Sequence, residues 1–82
     1  MQLENRSSLP VQVTVTTSVP KTQNFNGEIP PGDTHIFALS TDFAYTVVGS
    51  AISQSPATRS GITANATVTF TLVNGVLEIG IS

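Results

Sequence analysis

The segment that most limits the fold lies between residues 66 and 81. It reads Ala-Thr-Val-Thr-Phe-Thr-Leu-Val, then Asn74-Gly75, then Val-Leu-Glu-Ile-Gly-Ile. Two runs of period two flank an Asn-Gly pair, the dipeptide suited to a type I′ turn, where both central residues have positive φ. A two-residue turn pairs Val73 with Val76, Leu72 with Leu77, Thr71 with Glu78, Phe70 with Ile79 and Val68 with Ile81. Val68, Phe70, Leu72, Leu77, Ile79 and Ile81 then share one face, and Thr67, Thr69, Thr71 and Glu78 share the other. A slip of one residue would mix the two sets, so the register is strongly specified. A hairpin with one apolar face needs a second layer to cover it.

The rest of the chain is suited to supply that layer. Twelve Thr and nine Val are present, and nine Ser bring Ser and Thr together to about a quarter of the 82 residues. β-Branched side chains lower helix propensity and fit a pleated surface, and no window carries a helical stripe. Val11, Val13 and Val15 alternate with polar residues between Pro10 and Pro20. Leu3 centres a short strand before them. Gln23 to Ile29 reads as a strand with Phe25 and Ile29 inward and Asn26-Gly27 as a bulge. Pro30-Pro31-Gly32-Asp33 is a turn. Thr34 to Leu39 and Phe43 to Ser50 are further strands, joined by a turn at Ser40-Thr41-Asp42, and residues 54–61 read as a polar loop around Pro56. This spacing predicts a single domain over 1–82: a small antiparallel β-sandwich of about seven strands, immunoglobulin-like in architecture but without the Cys and Trp marks of antibody domains. The expected core is Leu3, Val11, Val13, Val15, Phe25, Ile29, Ile36, Phe43, Tyr45, Val47, Val68, Phe70, Leu72, Leu77, Ile79 and Ile81. For residues 34–39, Thr34/Ile36/Ala38 and His35/Phe37/Leu39 compete for the inward face.

Composition removes several function classes. Charged residues make up 10% of the chain, against roughly 25% in an ordinary soluble domain. The cations Arg6, Lys21 and Arg59 are scattered and the net charge is −2, so the phosphate-binding cluster that nucleic acid requires is missing. The longest apolar run, Ile36 to Leu39, falls far short of a bilayer span. No apolar leader follows Met1, although the polar, weakly charged composition favours an extracellular or surface-exposed setting. With no Cys and a single His, zinc has no ligand set, and no Gly-rich phosphate loop or other cofactor motif appears.

Enzymatic activity is not expected. Asp33 and His35 would share a strand face, but no G-x-S-x-G nucleophile elbow accompanies them. They read as a turn Asp followed by an edge His. Asn5-Arg6-Ser7 and Asn65-Ala66-Thr67 match the glycosylation sequon, a match expected by chance in a chain of this composition.

The outward strand positions carry the functional expectation. They hold Thr, Ser, Gln and Asn, with few charges. Natural β-proteins protect their edges with Lys, Pro or bulges, yet Lys21 is the only Lys and the last strand, Val76 to Ile81, carries only Glu78. If that strand is an edge, it is a template for another chain. The leading expectation is a homo-oligomeric structural or interaction module that self-associates through an edge strand or a face bearing Thr67, Thr69, Thr71 and Glu78. The alternative is a carbohydrate-binding module using Asn24, Asn26 and Tyr45, although Tyr45 reads first as a core residue with its hydroxyl at the sheet edge.

Overall fold

A computed structural model describes residues 1–17 and 22–82. The expected strand end at Pro20, and Lys21, lie outside these residues. The described chain forms eight strands: β1 (Gln2–Asn5), β2 (Val11–Thr17), β3 (Gln23–Ile29), β4 (Thr34–Ile36), β5 (Tyr45–Ser50), β6 (Ala57–Ile62), β7 (Thr67–Val73) and β8 (Val76–Ile81). They make two four-stranded sheets, sheet A in the order β4-β1-β7-β8 and sheet B in the order β3-β2-β5-β6. The sheets pack face to face around an apolar layer.

The C-terminal hairpin has the expected register at every pair. Asn74 and Gly75 have φ of 52° and 77°, as a type I′ turn requires. The ladder runs to its end, where Thr67 and Ser82 exchange N–H···O bonds of 2.8 and 3.0 Å. The turn before β4 also forms as read. The Asp33 N–H donates to the Pro30 carbonyl at 3.1 Å, and Gly32 at φ 80° takes the third position of a type II turn.

Four expectations are corrected. First, there are eight strands among the described residues rather than seven, because residues 57–61 of the expected polar loop, with Ile62, form β6. Ala57 to Ile62 is an edge strand with four exposed residues in succession, so the apolar alternation that reveals a half-buried strand is missing. Second, the sandwich is not wholly antiparallel. β1 enters the middle of sheet A and pairs parallel with β7, Leu3 beside Val68 and Asn5 beside Phe70. Third, the irregularity in β3 falls at Asn24, since Val15 pairs with Phe25 but Thr16 with Gln23; Asn26 and Gly27 pair in register. Fourth, β4 ends at Ile36, and β5 begins at Tyr45 rather than at Phe43.

The core consists of Leu3, Val68, Phe70, Leu77 and Ile79 from sheet A and Val11, Val13, Val15, Ile29, Tyr45, Val47 and Ile62 from sheet B, with Met1, Ala64 and Ala66 at its margins. Phe25 and Leu72 are only partly buried against it. Ile36 at 71% exposure, Phe43 at 43% and Ile81 at 38% lie outside it. Residues 34–39 turn the other set inward: Phe37 and Leu39 pack on the core, which leaves Ile36 outward. At the centre, Phe70 of sheet A presses its ring onto Gly49 of sheet B. A Cβ at Gly49 would stand 2.5 Å from the ring, so no larger residue fits without displacing Phe70.

Two outer faces, four edges and a cleft

The registers define the outer face of sheet A. Because paired residues point to the same side, Ile36, Gln2 and Thr67 form one row, Thr34, Glu4, Thr69 and Gly80 a second, Thr71 and Glu78 a third, and Val73 and Val76 a fourth. The face thus brings Thr67, Thr69, Thr71 and Glu78 together, as their spacing implied. The Thr side chains are half-buried among their neighbours and Glu78 is exposed. Among the described residues, none of the three Thr hydroxyls makes a side-chain hydrogen bond. Arg6 donates to Glu4 at 3.3 Å, a surface pair of small energetic weight. Ile36, Val73 and Val76, at 71%, 45% and 57% exposure, complete the face. Val73 and Val76 continue the parity of the Thr residues, so their outward position was readable. Ile36 required the choice of inward face at residues 34–39.

Sheet B presents a different outer face. Gln12 Nε2 donates to Asn26 Oδ1 at 2.7 Å, Thr14 Oγ1 to the same oxygen at 3.4 Å, and Thr46 Oγ1 to Ser60 Oγ at 3.2 Å. Gln12, Thr14, Asn26, Thr46 and Ser60 are thus occupied with one another, while Thr16, Glu28, Ser50 and Thr58 on the same face make no side-chain hydrogen bond among the described residues. Asn26, a candidate ligand residue, belongs to this network.

Each edge strand is blunted, by a bulge, by shortness or by a covering side chain. β3 is bulged at Asn24. β6 is bulged opposite Thr46, where the register slips between Arg59 and Ile62, with Gly61 at φ 70°. β4 is only three residues long. β8 ends sheet A but is not bare: Arg59 Nη1, reaching from β6 across the sandwich, donates to the Ile79 carbonyl at 3.1 Å. The opposite side of the sandwich is closed by rings. Phe25 of β3 stacks on Phe37 at a centroid distance of 5.1 Å, and His35 of β4 lies 4.7 Å from Phe25 and 5.5 Å from Phe37. His35 therefore packs against aromatics, and no hydrogen bond or ion pair joins it to Asp33 among the described residues.

A cleft of about 260 Å³ opens at one end of the sandwich, with Thr17, Thr22, Asn24, Leu39, Phe43 and Tyr45 among its walls. It unites Asn24 with Tyr45 but not with Asn26. The Tyr45 ring is buried, and its hydroxyl donates to the Ser40 carbonyl at 2.6 Å. The exposed aromatic surface at this cleft belongs to Phe43. Asn24 Nδ2 donates to the Thr22 carbonyl at 3.0 Å.

The two sequons differ sharply. Asn5 is 1% exposed. Its Nδ2 donates to the Leu9 and Ile29 carbonyls, both at 2.8 Å, and its Oδ1 accepts from the Ser7 N–H and hydroxyl. It is a buried tie between the end of β1 and the end of β3. Asn65 is exposed in the turn before β7.

No family model, curated protein or solved structure matches this chain.

Proposed function

We propose that this chain is a non-enzymatic structural or interaction module that self-associates, and that its main contact surface is the outer face of sheet A. The contrast between the two outer faces carries the reading. On sheet B, Gln12, Thr14, Asn26, Thr46 and Ser60 bond to each other across the strands. On sheet A, Thr67, Thr69 and Thr71 have hydroxyls without side-chain partners among the described residues, and three of the six large apolar side chains exposed among those residues stand in the same rows. Open hydroxyls interspersed with apolar area are what an apposed face covers. A net charge of only −2 opposes the approach of a second copy weakly. An immunoglobulin-like classification of the sandwich belongs to the same proposal. It is supported by Tyr45 at the start of β5, whose hydroxyl bonds to backbone five residues upstream, in the manner of a tyrosine corner.

Light scattering over a wide concentration range tests the reading. The expected mass exceeds 8.6 kDa and rises with concentration. Thr69→Lys and Thr71→Lys return it to the monomer, while Thr14→Lys on sheet B leaves it unchanged. A monomer at every concentration removes the proposal.

One observation favours carbohydrate binding as the second reading: the cleft joins Asn24 and Tyr45 to the exposed ring of Phe43, with no charged residue in its described lining. A ring face and neutral hydrogen-bonding groups suit a neutral sugar. In a glycan-binding screen, Asn24→Ala and Phe43→Ala then lose binding while Asn26→Ala keeps it. Equal loss in all three places the site elsewhere.

A further inference from the structure

We infer that the outward edge of β8 is a latent pairing site for a second copy of this chain, and that Arg59 holds it closed. The inference deepens the self-association reading on which it rests, by adding a gated edge contact to the face. It begins from the ladder. Thr67 and Ser82 form a doubly hydrogen-bonded pair, and such pairs recur at every second position of an antiparallel ladder. Gly80, Glu78 and Val76 therefore bond to β7, and the N–H and C=O groups of Leu77, Ile79 and Ile81 point away from the sheet.

These outward groups are self-complementary. In an antiparallel pairing of two β8 strands about a two-fold axis at Ile79, each Ile79 faces its own copy, Leu77 faces Ile81, and Glu78 faces Gly80. Every outward N–H and C=O finds a partner, apolar side chains meet apolar side chains, and the only charge on the strand is not placed opposite itself. The same pairing joins two copies of sheet A into one continuous sheet, so the edge contact and the proposed face contact lie on the same sheet.

Arg59 occupies the middle of this edge. It pairs with Val47 in register, so its side chain leaves β6 on the core side and crosses to sheet A. Its Nη1 lies 3.1 Å from the Ile79 carbonyl, where an incoming N–H would bond. The Ile79 carbonyl is the centre of the self-complementary register, and both copies must release it before they can pair.

Sedimentation equilibrium on Arg59→Met, which keeps an apolar stem beside the core and removes the donors, tests the inference. A charge-assisted bond of this kind is worth about a factor of ten, so freeing both copies is expected to tighten dimerisation about a hundredfold. Ile81→Pro, added to Arg59→Met, deletes one outward N–H without touching the β7 ladder and is expected to reverse the gain. Arg59→Gln serves as the test if the Met variant does not unfold cooperatively. An unchanged dissociation constant overturns the inference, as does a gain that Ile81→Pro leaves intact. Thr71→Lys reports on the outer face independently. A wild type as monomeric as Thr71→Lys defeats the face reading, yet the comparison of Arg59→Met with wild type still decides the edge.

Discussion

The two open sides of the sandwich are closed by different chemistry. Between β3 and β4, three rings lean on one another, Phe25 on Phe37 with His35 across both. Just behind them, Asn5 ties the end of β1 to the Ile29 carbonyl of β3. Between β6 and β8, the cross-sheet tie is a single Arg59 bond to the Ile79 carbonyl. Ring stacking and a buried amide reserve no group that an outside partner can replace. A lone bond from an arginine to an edge carbonyl can be exchanged for an equivalent bond from another strand. On the proposed reading, one side is a permanent seam and the other a replaceable one.

Five substitutions test this asymmetry. Asn5→Ala removes the amide and takes the side-chain partner from the buried Ile29 carbonyl and Ser7 N–H, which is expected to cost about 3 kcal/mol; urea unfolding should show a lower midpoint at an unchanged slope. Phe37→Ala removes the ring stacked on Phe25 and is expected to cost about 2 kcal/mol, read in the same titration. If Phe25→Ala and Phe37→Ala are additive, the rings do not act as a unit. Arg59→Met, at a concentration where the protein is monomeric, is expected to lose the equivalent of that one charge-assisted bond, about 1.4 kcal/mol, in the same urea titration. His35→Ala loses only an exposed ring contact, about 0.5 to 1 kcal/mol, visible as a small fall in thermal midpoint. A loss at Arg59 as large as that at Asn5 would make the two sides equivalent.

Local structure was legible where local chemistry decides it. Asn74-Gly75 and the parity of residues 66–81 specify the hairpin without help from the rest of the chain, and Val11, Val13 and Val15 announce a buried strand face. What was hidden depends on partners remote in sequence. The parallel pairing of β1 with β7 leaves no periodic trace. β6 lacks alternation because it is an exposed, bulged edge. Residues 34–39 carry apolar side chains on either face, and the register with β1, which sets His35 beside the buried Leu3 and Ile36 beside Gln2, turns Phe37 inward onto Phe25. For the candidate surfaces, Thr67, Thr69, Thr71 and Glu78 were readable together because they lie on one hairpin. Asn24 and Asn26 are two residues apart, yet the bulge at Asn24 assigns one to the cleft and the other to a hydrogen-bonded outer network. Arg59 carried no signal at all, since its partner is a backbone carbonyl twenty residues away.

The position of β1 has a consequence for the order in which the molecule can be made. All four strands of sheet B lie between residues 11 and 62, so their pairings are available to a growing chain before the C-terminal hairpin is synthesised. β1 is made first but sits between β4 and β7, and its β7 neighbour is complete only at residue 73. β1 must therefore wait for β7, and the core face of sheet B stays uncovered until the β7–β8 hairpin arrives to close over it.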